Sequence, residues 1–125
     1  MSQTRRALVL FAHGARDPRW AEPFQRLQSA VQMQSPELSV SLAFLELMSP
    51  RLPELVPALV ADGMGDITIV PVFLGQGGHV RHDLPLLIDE LKVQYPDVSF
   101  RIADAVGEDE QVLLAMAKYC LGTLE

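Results

Sequence analysis

The chain is poor in cysteine, histidine and aromatic side chains. Of its 125 residues one is cysteine (Cys120), three are histidine (His13, His79 and His82), and 6% are Phe, Trp or Tyr. A single cysteine excludes an intrachain disulfide and a cysteine-only zinc cluster within one subunit, and it fits a reducing, cytoplasmic setting. Positive charge is also scarce: 10 Lys and Arg stand against 16 Asp and Glu, for a net charge of −6 and a pI near 4.9. That balance argues against non-specific nucleic-acid binding, which depends on neutralising phosphates, and against a polybasic membrane anchor. Long apolar runs are missing. Arg5 and Arg6 before the run Ala7 to Ala12 imitate a secretory leader, but the run is shorter than a leader's apolar core. Nothing approaches the ~20 apolar residues of a transmembrane helix. What is present, 49% hydrophobic and 21% charged residues, suffices for an ordinary globular core. We expect one soluble domain over residues 1–125, with no membrane and no nucleic acid as partner.

Two periodicities alternate along the chain. Arg6–Ala12 is almost wholly apolar, as in a strand covered on both faces. Ser39–Glu46 places Val40, Leu42 and Phe44 on one face and ends in a carboxylate, and Asp66–Leu74 is again apolar and β-branched early. Val98–Ala103 alternates cleanly, which predicts a half-exposed edge strand. Pro71 donates no ladder hydrogen bond, so it belongs at a bulge or near a strand end.

Helical patterns lie between the strands. Trp20, Phe24, Leu27 and Val31 recur at helical spacing, with Asp17 as N-cap and Pro18 at the first helical position. Ser49-Pro50 opens a second helix with Leu52, Leu55, Val56, Leu59 and Val60, stopped by Gly63 or Gly65, although Pro57 would kink it. Leu84, Leu87, Ile88, Leu91 and Tyr95 mark a third helix; Val112, Leu113, Met116 and Cys120 mark a fourth whose cysteine reads as core. The order βαβαβαβα implies an α/β fold: a three-layer αβα sandwich around a four-stranded parallel sheet. Placing the two most apolar strands in the centre gives the order 2-1-3-4.

In such sheets ligands bind outside the carboxyl ends of the strands. The first strand runs out into His13-Gly14-Ala15-Arg16-Asp17, the second ends at Glu46, and the third leads into Gly75-Gln76-Gly77-Gly78-His79-Val80-Arg81-His82. Thirty-three residues separate His13 from Glu46 and Glu46 from His79, as one repeating βα unit would give. Two imidazoles and a carboxylate suit Fe²⁺, Co²⁺, Ni²⁺ or Zn²⁺, and three protein ligands leave coordination positions open for chemistry. The glycines around His79 would let backbone approach a ligand and let the loop move. Taken singly, His13 is an ordinary loop residue, Glu46 a surface charge and His82, a second-tier candidate, a residue near a helix start; it is the convergence of His13, Glu46 and His79 on one edge that points to metal. Competing templates fail. Gly75-Gln76-Gly77-Gly78 lacks the GxGxxG spacing, and neither a GxxxxGK[ST] loop nor a G-x-S-x-G elbow occurs. Ala12 stands where a phosphohistidine phosphatase would have arginine before the histidine.

LVLFAHGARDPRW, FLELMSP and VPVFLGQGGHVRHDLP, in this order and spacing, resemble the small CbiX-type sirohydrochlorin chelatases of the class II chelatase group. The resemblance spans Ala7 to about Cys120. It implies insertion of a divalent metal (Co²⁺, Fe²⁺ or Ni²⁺ as substrate) into sirohydrochlorin on the way to cobalamin or sirohaem, with no organic cofactor, in a homodimer of half-units. It assigns metal handling to His13, Glu46 and His79, with the two histidines catalytic. A histidine-rich tail and an iron–sulphur motif, found in some longer relatives, have no counterpart among three histidines and one cysteine. Metallation strips water from the cation and removes two pyrrole N–H protons, work that imidazole does as ligand or base near neutral pH. The macrocycle's carboxylates are repelled by the net −6, so local cations must compensate. Arg16 and Arg81 are the expected anchors, with Arg19 and Arg51 behind them and Gly77 and Gly78 leaving room for the ring. A non-catalytic metal or tetrapyrrole carrier would use the same residues.

Overall fold

The computed structural model describes residues 5–75 and 77–125, and of His79 the backbone; Met1 to Thr4 and Gln76, inside the expected domain and glycine-rich segment, lie outside the described residues. The elements run β1 (Arg5–Ala12), a 3-10 turn (Pro18–Ala21), α1 (Glu22–Gln34), β2 (Ser39–Phe44), α2 (Leu52–Ala61), β3 (Met64–Pro71), α3 (Gly78–Gln94), β4 (Ser99–Ile102), a second 3-10 turn (Val106–Glu108) and α4 (Glu110–Gly122). All strand pairs are parallel and the order is β2-β1-β3-β4, as the apolar content of the strands implied. Pro71 is the last residue of β3, where the missing N–H costs the ladder nothing beyond it.

Strand alternation sorts the side chains into two layers. Ala7, Val9 and Phe11 of β1, Ile67 and Ile69 of β3 and Phe100 of β4 pack with Leu52, Val56 and Leu59 of α2 and Val80, Leu84, Ile88 and Leu91 of α3. On the opposite face Ala12, Leu42 and Phe44 meet Ala21, Trp20 and Phe24 of the first 3-10 turn and α1. Trp20 lies against both Phe24 and Phe44, with ring centroids 4.5 and 6.4 Å apart.

Four local expectations change. Asp17 caps the 3-10 turn rather than the α-helix: its carboxylate accepts the Arg19 N–H at 2.9 Å, and α1 begins only at Glu22, with Pro23 in its first turn. α2 runs through Pro57, because burial of Leu52, Val56 and Leu59 on one side outweighs one lost intrahelical bond. Gly63, with φ +88°, ends it as expected. α3 starts at Gly78, well before Leu84, so the histidine-bearing segment is helical. Last, α4 contains no buried residue and Cys120 is exposed, where a core position was expected.

Ile69 is wholly buried at the centre of the sheet, whereas Val93 on α3 is 82% exposed. Ile69→Ala should therefore lower unfolding stability by about 2–5 kcal/mol and Val93→Ala by less than about 0.5 kcal/mol, measured by urea titration.

Candidate active site

Two backbone hydrogen bonds tie together the chain ends of β1 and β2. Leu45 N–H donates to the Ala12 carbonyl at 2.9 Å, and Glu46 N–H donates to the His13 carbonyl at 3.1 Å. This backbone pairing sets residues 13 and 46 side by side, and their side chains meet: His13 Nε2 lies 3.1 Å from Glu46 Oε1. An ionised carboxylate only accepts, so in this bond Nε2 carries a proton, which must leave before Nε2 can ligate a cation. The separation also matches two neighbouring ligands of one cation. Bonds of about 2.1 Å meeting at 90–109° set the ligand atoms roughly 3.0–3.4 Å apart. Half of each side chain is open to solvent, 49% for His13 and 55% for Glu46, so a large planar substrate can reach both.

Two backbone features hold this pair. Gly14 adopts φ +99°, and a Cβ there would fall 1.8 Å from the Glu46 carbonyl oxygen. Only glycine allows the chain leaving β1 to turn so close to the chain leaving β2. Leu47, directly after Glu46, has φ +68°, a region that side chains other than Gly, Asn and Asp seldom enter. The segment after it is drawn back, with Phe44 N–H donating to the Pro50 carbonyl at 2.9 Å. Sequence reading missed both residues. The His-Gly step after a strand was a usable signal for Gly14; Leu47 offered none.

His79 is the second residue of α3, and its side chain lies outside the described set. It does not sit in the free glycine loop that the sequence suggested. Gly77 caps α3 with ordinary extended angles and Gly78 opens it, so neither needs glycine for its conformation. A Cβ at either would have no atom within 4 Å. His82 is exposed in the same first helical turn. Among the described residues no cluster of three or more His, Cys, Asp or Glu forms a metal site, so the pair His13–Glu46 is the part of the expected triad that the structure joins.

The arginines divide into two kinds. Arg16 borders an open cleft of about 600 Å³, lined also by Phe44, Leu47, Met48 and Gln25. Arg81, in the first turn of α3, holds Glu108 loosely, with Nη2 3.7 Å from Oε1 and both side chains about half or more exposed. Such a pair contributes about 0–1 kcal/mol and exchanges readily for another carboxylate. Arg19 and Arg51 instead serve the local chain. Arg19 binds both oxygens of Asp17, and Glu54 accepts from the Arg51 N–H at 3.0 Å and from Arg51 Nε at 3.3 Å. The Arg19 side chain, then its N–H, holds the Asp17 carboxyl below its ordinary 3.8, and the Arg51 N–H holds Glu54 below 4.5. A depressed carboxyl stabilises above its unfolded pKa, so these two caps are intact at neutral pH and fail only as the pH falls through the lowered values.

Relatives of known structure and name share this geometry's scaffold. The CbiX family model matches residues 7–120. The chain belongs to the CbiX family. It is 32% identical over 111 residues to the sirohydrochlorin cobaltochelatase of Saccharolobus solfataricus, covering 84% of this chain and 85% of that protein. It is 28% identical to that of Priestia megaterium, of which it spans 35%. Among solved structures, a cobalamin (vitamin B12) biosynthesis CbiX protein from Marinobacter aquaeolei superposes with a TM-score of 0.84 at 30% identity, over 95% of this chain and 97% of that one. The sirohydrochlorin chelatase SirB from Bacillus subtilis in complex with cobalt gives 0.77 at 25% identity; this chain covers 48% of it. No helix among the described residues is long and apolar enough to cross a membrane.

Gly14→Ala should destabilise the CbiX-family chain by at least about 1–3 kcal/mol through strain alone and separate His13 from Glu46. Gly78→Ala, with open space around it, should leave the melting temperature unchanged or raise it slightly. Calorimetry on both variants checks this contrast.

Proposed function

We propose that this protein is a sirohydrochlorin chelatase, one unit over residues 1–125, that inserts Co²⁺ or Fe²⁺ into the macrocycle, with Ni²⁺ accepted by the same donors. The observation that carries the reading is the His13–Glu46 pair, 3.1 Å apart and half-exposed at the carboxyl edge of a CbiX-family sheet. Its support from relatives is consistent: proteins similar over most of this chain bear the name sirohydrochlorin cobaltochelatase, and SirB structures hold cobalt or Fe³⁺.

The chemistry needs three things from the chain. The incoming cation must exchange water for protein ligands, and His13 with Glu46 supplies a nitrogen and an oxygen at ligand spacing, with His79 proposed as third. Each pyrrole N–H proton must be accepted as the metal–nitrogen bonds form, and an imidazole freed from the cation does this, handing the proton to Glu46 or water. The macrocycle's carboxylates must be held against a net charge of −6, the role proposed for Arg16 and Arg81. The open space over Gly77 and Gly78 lets the ring approach the first turn of α3. No organic cofactor is required by this scheme. We place the enzyme in the cytoplasm as a homodimer.

Anaerobic absorbance assays of sirohydrochlorin with each divalent metal test the reading. Multiple turnovers are expected; a single stoichiometric event would make the protein a carrier. His13→Ala should lower kcat/KM by about 100-fold or more while keeping the native circular dichroism spectrum. Metal and macrocycle titrations separate the roles. Glu46→Gln should weaken Co²⁺ binding by about 10–100-fold and spare sirohydrochlorin. Arg81→Ala should raise the KM for sirohydrochlorin by roughly 10-fold or more, the worth of one charge-assisted contact, and spare Co²⁺.

A further inference from the structure

Two exposed leucines leave the sheet on either side of His13, each on a main chain that is held in place. β1 lies between β2 and β3, so the chains leaving these strands bring out Leu47, His13 and Leu74 along one edge. Leu47 is 56% exposed and Leu74 72%. A lone exposed leucine needs no explanation on a protein surface. Two that flank a polar pair on constrained backbone do need one.

The constraints differ. Leu47 takes φ +68°, a conformation that a side chain of this size seldom adopts, and the bond from Phe44 N–H to the Pro50 carbonyl closes the segment behind it. Strain of this kind is a ground for seeking function. Leu74 is pinned by the turn Val106–Glu108. Gly107 N–H donates to the Phe73 carbonyl at 2.9 Å, and a Cβ on Gly107 would fall on the Leu74 carbonyl oxygen. In both places the chain is ordered and the large apolar side chain is left in water.

Each leucine also has a guanidinium in its neighbourhood. Leu47 and Arg16 line the same cleft of about 600 Å³, and Arg16 forms no ion pair among the described residues. On the other side Arg81 Nη2 lies 3.7 Å from Oε1 of Glu108, the residue after Gly107 in the turn that pins Leu74. The edge therefore repeats one arrangement on both sides of His13, an apolar side chain with a cation near it.

We propose that Leu47 and Leu74 form a shelf for the flat face of the macrocycle, whose carboxylates reach Arg16 and Arg81. The inference rests on the chelatase reading for its ligand and adds the residues that hold the ring itself. The macrocycle is the occupant because polarity and shape both match. A tetrapyrrole is apolar on its faces and anionic at its rim, and this edge offers apolar contacts flanked by cations. β2 and β3 are two strand spacings apart, roughly 10 Å, a span that such a ring bridges while lying over His13 and Glu46. Burial of leucine surface is insensitive to salt screening, whereas the arginine contacts are weakened by it.

Anaerobic titration of the full chain with metal-free sirohydrochlorin, beside a separate titration with Co²⁺, tests the shelf. Leu47→Asn introduces a residue that accepts a positive φ, and Leu74→Asn alters a side chain mostly in water, so both should keep the wild-type melting temperature. Each should weaken ring binding by about 5–20-fold, at low and high salt alike, and leave Co²⁺ affinity within about 2-fold. Leu74→Met should retain ring affinity. Leu86→Asn, 52% exposed on α3, should change neither titration. An asparagine variant at either shelf position that binds the ring as tightly as wild type, or that loses Co²⁺ affinity in step with it, would overturn the shelf. A wild type that binds no sirohydrochlorin would overturn the shelf and the chelatase reading together. Ring binding that both variants weaken, in a wild type that never metallates the ring, would strike the chelatase reading alone.

Discussion

The Glu46 N–H to His13 carbonyl hydrogen bond, 3.1 Å long, is the constraint on which the site depends. It follows the Leu45 N–H to Ala12 carbonyl bond, which closes a parallel ladder in register from Ala7 and Ser39 to Ala12 and Phe44. Successive carbonyls of a regular strand point to opposite sides, so this second bond requires the chain leaving β1 to turn toward the chain leaving β2. The price is conformational. Gly14 must take a left-handed turn against the Glu46 carbonyl, and Leu47 must leave Glu46 with a positive φ. Strain of this kind persists only where surrounding structure dictates it, and here the buried carboxyl half of β1 does so.

The polar groups outside the ladder fall into a consistent pattern. Arginines whose charge serves the local chain, Arg19 and Arg51, are closed on carboxylates within three residues of themselves. Arg81 lies 3.7 Å from an exposed carboxylate, that of Glu108, and Arg16 borders the cleft after β2. In the proposed reaction this division is useful: His13–Glu46 would take the cation, and the loosely held guanidiniums, which cannot ligate, would take the ring's carboxylates.

Much of the fold could be read from residue order. Alternating apolar strands and helical stripes carry their period locally, and the two most apolar strands must be central, so the order 2-1-3-4 followed from composition. The convergence of His13 and Glu46 was equally readable, since strand ends in such a sheet share an edge. Other features were not readable, for identifiable reasons. Pro57 argued against a continuous α2, but tertiary burial of Val56 and Leu59 overrides a single missing bond. Gly75, Gly77 and Gly78 suggested a flexible loop, yet the chain is helical from Gly78, while the sterically required glycines are Gly14 and Gly107. Glycine's necessity depends on what approaches it in space, which no local pattern records.

The amphipathic marks on α4, Val112, Met116 and Cys120, promised a core helix, and only the tertiary structure shows that they face no core of their own chain. Period and polarity report that a helix wants burial; they do not say which surface provides it. By itself the sequence determined the parallel αβα architecture, the family and the chemical identity of the groups at the sheet edge, because these follow from local periodicity, strand order and motif spacing. Tertiary structure alone decided which groups touch, which glycines are indispensable and where α4 points. Those outcomes depend on distances between segments far apart in the chain, which the period of any one segment does not fix.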